Sequence, residues 1–74
     1  MITFTYKGEY ITLGQFLKAA DVVQSGGEVK DLLMQAVVLV NAEVELRRGR
    51  KLRHGDIVRC GHSEWQLVSA DTSL

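Results

Sequence analysis

The chain has 74 residues, 46% of them apolar, one cysteine, and nine Lys and Arg set against nine Asp and Glu. A chain this short buries only about 60% of the surface its unfolded form exposes, which leaves little room for an enclosed active site; its lone Cys60 excludes an internal disulfide, and no apolar run is long enough to span a membrane. Zero net charge conceals an asymmetry, because residues 47–59 hold six basic groups against one acid, so the placement of charge is more informative than its sum.

From the N-terminus, "ITFTYKGEYIT" alternates Ile2, Phe4 and Tyr6 ahead of a turn at Gly8, the pattern of two short strands or a hairpin. It lacks a basic start followed by an apolar block, so no signal peptide is read and a cytoplasmic location is expected. At "TLGQFLKAADVV" the spacing becomes helical, with Leu13, Phe16, Leu17 and Ala20 on one face, and Thr12 followed three residues later by Gln15 reads as a capping box. "QSGGEVKDLLMQ" repeats the device with Ser25 and Glu28, so two short helices are expected to meet at Gly26-Gly27, where the glycines end the first helix or permit a close approach. "AVVLVNAEVEL" turns toward strand, with β-branched residues either side of Asn41-Ala42. "HGD" at 54–56 is a turn, "IVRC" a strand, Gly61-His62 another turn, "EWQLVS" a last strand and "ADTSL" a frayed tail. The expected fold class is α+β, a single domain over residues 1–74 with two short helices on one face of a small, mainly antiparallel sheet.

The basic run "RRGRKLR" is the first candidate site. Arg47, Arg48, Arg50, Lys51 and Arg53 fall within seven positions that contain no acid, whereas a face built only for solubility intersperses both signs. On an extended ribbon, Arg48 and Arg50 share one side and Arg47 and Lys51 the other, with Gly49 allowing a bend. Arginine grips phosphate oxygens in pairs and lysine acts as a compact point charge, so such a ribbon suits a polyanion. The Ser25-Gly26-Gly27 corner is the second candidate, because amides at a helix start attract anions and glycine lets a phosphate approach the backbone; the plainer reading is that the glycines only turn the chain. Lys30 on the same helix adds charge nearby.

Catalysis and cofactors are not expected. His54, Cys60 and His62 lack the paired short spacings of a zinc site, and Cys60 reads as a small core residue rather than a nucleophile. No phosphate-binding nucleotide loop is present. Phe4, Tyr6, Tyr10, Phe16 and Trp65 are too few and scattered for a base-stacking platform and are read mostly as core, with Trp65 packing partly exposed. This composition favours recognition of shape and phosphate over reading of unpaired bases.

Residues 12–58, with the helix corner "SGGEVKDLL", the hairpin "VLVNAEV", the "RRGRKL" run and the closing "GDIV", resemble the RNA-binding domain named after ribosomal small-subunit protein four, the alpha-L motif, and most closely its small stand-alone bacterial YaaA-like members. The resemblance implies two helices on a short curved sheet, binding to structured RNA (ribosomal or transfer RNA), and phosphate-contacting roles for Ser25, Lys30 and the loop from Arg47 to Arg53. Two departures stand out. Gly26 occupies a position where many members have arginine, and Ala36 and Ala42 stand where glycines are common; if the backbone there is left-handed, each alanine costs roughly 1 kcal/mol.

The function expected is therefore non-enzymatic binding of structured RNA through Ser25, Gly26, Gly27, Lys30, Arg47, Arg48, Arg50, Lys51 and Arg53, with ribosomal particles as a partner and ribosome assembly as a setting, and with no cofactor, metal, membrane or small-molecule substrate. The rival reading is a protein-interaction adaptor whose basic loop docks on an acidic partner. A DNA-binding module is disfavoured, since both helices commit an apolar face to the core and leave no long recognition helix for a major groove.

Overall fold

A computed structural model describes residues 1–71. The elements run β1 (Ile2–Tyr6), β2 (Ile11–Thr12), α1 (Leu13–Ala19), α2 (Gly26–Met34), β3 (Val38–Val40), β4 (Glu43–Val44), β5 (Lys51–Leu52), β6 (Ile57–Cys60) and β7 (Ser63–Ser69). Five of the strands form one sheet in the order β1-β7-β6-β3-β4, antiparallel except where β1 lies parallel to β7; β2 and β5 form a separate antiparallel ribbon. The fold is thus α+β with two helices on a mainly antiparallel sheet.

The opening segment does not fold back on itself as a hairpin. Beyond Gly8 the chain leaves the main sheet, so β1 pairs with β7 (Ile2 opposite Trp65, Phe4 opposite Leu67) while β2 pairs with β5. Alternation fixes which side of a strand is apolar; it does not name the partner.

Helix α1 starts as its sequence dictates. The Thr12 hydroxyl accepts the Gln15 amide at 3.2 Å and the Gln15 side chain accepts the Thr12 amide at 3.0 Å, a complete capping box. It ends at Asp21, whose φ of 62° is left-handed: the Asp21 amide donates to the Lys18 carbonyl and the Val22 amide to the Leu17 carbonyl, the paired bonds of a Schellman end. The corner between the helices is therefore turned by Asp21 and not by the two glycines. Gly26 and Gly27 instead form the first turn of α2. There Ser25 caps the Glu28 amide at 3.2 Å, but the Glu28 carboxylate reaches past the cap to the Gln24 amide at 3.1 Å, so the second capping box is only half of the expected pattern.

Both helices lay their apolar stripes on the sheet. Leu13, Phe16 and Leu17 of α1 and Val29 and Leu33 of α2 are buried against Val38, Val40, Val58, Trp65 and Leu67, with Leu52 closing the core from the ribbon. The Phe16 ring meets Phe4 and Trp65 edge to face at centroid distances of 5.0 and 5.4 Å. Trp65 is only 8% exposed, more buried than its polar neighbours suggest, because those neighbours alternate to the other side of β7. The expectation of a frayed tail falls partly on residues 72–74, outside the described residues. Ala70 and Asp71 are fastened: the Ala70 amide donates to the Tyr6 carbonyl at 2.8 Å, and the Asp71 carboxylate accepts the Gly8 amide at 2.9 Å. The parallel run of β1 beside β7 carries this end of the chain into the sheet.

Candidate nucleic-acid interface

The basic segment links β4 to β5 and is a loop with a turn at Arg48-Gly49, closed by the Arg50 amide donating to the Arg47 carbonyl at 3.2 Å. Period-two alternation therefore does not apply, and the expected pairing of Arg48 with Arg50 on one side is replaced by another. Arg47 and Arg50 converge on Glu45. Its carboxylate accepts five hydrogen bonds: from the Leu46 and Arg47 amides, from Nε and an Nη of Arg47, and, at 2.8 Å, from Arg50. The Glu45 side chain is 8% exposed, Arg50 33% and Arg47 73%, so the carboxylate forms a buried base from which the Arg47 guanidinium still faces water. Hydrogen bonds from Arg47 above all, then from Arg50 and the Arg47 amide, outweigh burial and hold the Glu45 carboxyl at about 2, while Arg47 is raised in turn by Glu45. The carboxylate is thus ionised at neutral pH and acts as the staple of the loop.

Helix α1 holds the other side of the loop. Its first-turn amides, which no helix can satisfy internally, donate to the loop: Leu13 to the Arg50 carbonyl at 2.8 Å and Gly14 to the Arg48 carbonyl at 2.9 Å. Glycine eases this approach, because a Cβ on Gly14 would lie 3.3 Å from the Arg48 carbonyl oxygen, so the loop would have to give by a few tenths of an ångström, and 3.6 Å from Val29. The result is a cleft of about 300 Å³ between the two helices and the loop, lined by Gly14, Gln15, Lys18, Gly26, Arg48 and Gly49 among others.

The cleft is suited to an anion. Among the described residues, Lys18 and Arg48 bring positive charge to it with no carboxylate partner, and the amide of Gly26, with that of Gly27 next to it at the start of α2, has no acceptor. Neither glycine has a left-handed backbone, and a Cβ on Gly26 would touch nothing. The fold does not require glycine there. The Glu28 carboxylate, turned back onto Gln24, offsets part of the helix charge.

Of the expected site residues, Gly26 and Arg48 meet in the cleft, with Ser25 capping the helix beside them. Lys30 lies one helical turn beyond Gly26, exposed and without an ion pair among the described residues. Lys51 and Arg53 sit elsewhere, over the ring of Tyr10, with Nζ of Lys51 at 5.0 Å and the Arg53 guanidinium carbon at 5.6 Å from its centroid. Tyr10 is 40% exposed and does not belong to the core expected of it. Sequence reasoning missed Lys18, Glu45, Gly14 and Tyr10. Only Glu45 left a legible signal, an acid two and five residues ahead of the arginines it binds; the others act through contacts across the fold.

Residues 4–68 match the family described as the S4 domain. The chain belongs to the S4 domain family. The match is wider than the 12–58 core read from motifs, because it takes in most of β1 and β7, the strands that close the S4 sheet across the ends of the chain. Among curated proteins, the chain is similar to the "Probable ribosome maturation protein RlbA" of Bacillus subtilis (strain 168), 56% identical over 62 residues that cover 82% of this chain and 87% of that protein.

His54 accepts the Ser69 amide at 3.0 Å through Nδ1, Cys60 packs half-buried against the core where burial pushes its thiol up, and His62 is exposed in the β6–β7 turn. Among the described residues no three His, Cys, Asp or Glu side chains come together to hold a metal ion, and no helix is long and apolar enough to cross a membrane.

Proposed function

We propose that the chain is a non-enzymatic binder of structured RNA, with ribosomal RNA as its target ahead of transfer RNA and with ribosome assembly in the cytoplasm as its setting. The observation that carries the reading is the cleft between the helices, lined by Lys18, Arg48 and Gly26, whose amide has no acceptor among the described residues, in a space large enough for a phosphate group. Ser25 holds that helix end, Lys30 extends the positive surface along α2, Arg47 and Arg50 continue it along the loop, and Lys51 and Arg53 along the β2–β5 ribbon. Glu45 lowers the charge that Arg47 and Arg50 can offer but fixes where they offer it. The preference for ribosomal RNA rests on family membership together with the name of the B. subtilis relative, a probable ribosome maturation protein.

A filter-binding titration on ribosomal RNA tests the reading. With about four to six phosphates neutralised, the logarithm of affinity should fall with the logarithm of salt by roughly 0.7 to 0.9 per contact. Arg48→Ala and Lys18→Ala should each weaken binding to all bound RNAs alike and reduce that slope by about 1, with thermal midpoints nearly unchanged since both side chains are exposed. Affinity that does not respond to salt would overturn the reading, and capture of an acidic protein that survives ribonuclease would move the assignment to the adaptor.

A further inference from the structure

Tyr10 is a residue that neither the loop nor the cleft uses. It immediately precedes β2, which pairs Ile11 with Leu52 and Thr12 with Lys51, so Tyr10 lies one step past the Ile11–Leu52 pair, across from Arg53. Leu52 is fully buried, and strand alternation therefore turns Lys51 and Arg53 outward on the same side of the ribbon, where both lie over the Tyr10 ring. Two long cationic side chains that would otherwise sample many rotamers are thus gathered at one point, and neither has a carboxylate partner among the described residues. Thr12 at the other end of this ribbon lines the helix cleft. The ribbon therefore connects the cleft to the Tyr10 cluster over two residues, about 7 Å at the strand rise of roughly 3.3 Å per residue.

We propose that Tyr10, Lys51 and Arg53 form a second RNA-contact point, which takes a phosphate one or two nucleotides along the strand from the one held in the cleft, with Tyr10 as the positioning residue for the two cations. This rests on the RNA-binding reading above and adds a direction to it: the bound strand runs from the start of α2 along the β2–β5 ribbon. The ring's part is to hold the cations in place before RNA arrives, so the loss of rotamer freedom is met during folding and not on binding.

The test uses the full chain and ribosomal RNA in filter binding, with variants Tyr10→Phe, Tyr10→Leu, Lys51→Ala/Arg53→Ala and the triple combination. Tyr10→Phe keeps the ring face and should bind within twofold of wild type, while Tyr10→Leu should lose about three- to tenfold. In the Lys51→Ala/Arg53→Ala background, Tyr10→Leu should cost nothing further, because its effect passes through those two cations. A loss that persists in that background overturns the positioning role and marks direct stacking of a base on the ring. Full affinity in Tyr10→Leu, with Lys18→Ala still impaired, overturns the second contact point and leaves the cleft standing; a wild-type chain that retains no RNA overturns both readings. In the free protein, ring-current shifts of the Lys51 and Arg53 side-chain protons, present in Tyr10→Phe and absent in Tyr10→Leu, check the arrangement independently of RNA.

Discussion

At the scale of single residues, Glu45 shows how an acid can serve a basic surface. Two arginines and two backbone amides point at one buried carboxylate, and the loop takes its shape from those five bonds. Its carboxyl is held at about 2, below the ordinary 4.5. A group whose folded value is depressed stabilises the fold fully above its unfolded value and loses that contribution as pH falls through its folded value. Glu45→Gln should therefore lower the thermal midpoint at pH 7, and the difference from wild type should shrink between pH 4.5 and pH 2 and vanish below it. Unfolding scans of the two proteins across that range measure it; a difference that stays constant with pH would assign Glu45 a packing role alone. The basic run was legible as a charge pattern and the spacing of Glu45 ahead of Arg47 and Arg50 was visible, but its burial was not, since nothing in a linear sequence distinguishes a buried Glu from a solvated one.

At the scale of elements, several turns are made by residues that resist them. Ala36 ends α2 at φ 58°, and Asn41 and Ala42 form the β3–β4 turn at φ 52° and 72°. The two-residue link between Val40 and Glu43 requires positive φ at both central positions to match the strand twist, so register forces Ala42 into that region. Both alanines therefore carry the strain of a left-handed backbone. Ala42→Gly and Ala36→Gly should each stabilise the protein by roughly 1 kcal/mol, read as a higher denaturant midpoint at unchanged slope; a lower midpoint would mean that the methyl groups make contacts worth more than the strain. Helix starts at Thr12 and Ser25 were legible because caps are local chemistry. The end of α1 at Asp21 was not, since no glycine marks the left-handed position and an aspartate in sequence does not by itself announce one.

At the scale of the whole molecule, folding and binding pull in different directions at Gly26 and Gly27. Both lie in the first turn of α2 without a left-handed backbone; a Cβ on Gly26 would meet open space and one on Gly27 only an ordinary contact with the Ser25 hydroxyl at 3.9 Å. Replacing them with alanine should raise stability, by up to about 1 kcal/mol each given the helix propensity of the two residues. The same methyl groups would stand between a phosphate and the helix amides, so Gly26→Ala/Gly27→Ala should melt higher and bind ribosomal RNA several-fold more weakly. Calorimetry and filter binding on one preparation would show the split. Gains in both would mean that the amides are not used and that the glycines are dispensable.

The sequence by itself determined the class of the fold, the two capped helices, the hairpin around Asn41-Ala42 and the position of the cationic run, because caps, hydrophobic periods and charge clusters are properties of neighbouring residues. Only the tertiary structure decided that β1 would lie parallel to β7 and that α1 would donate its free amides to the basic loop. It also brought Lys18 to Arg48 across a cleft and placed Lys51 and Arg53 over Tyr10. These contacts join residues far apart in the chain, and their geometry depends on the shared core around Phe16, to which both helices and the sheet contribute.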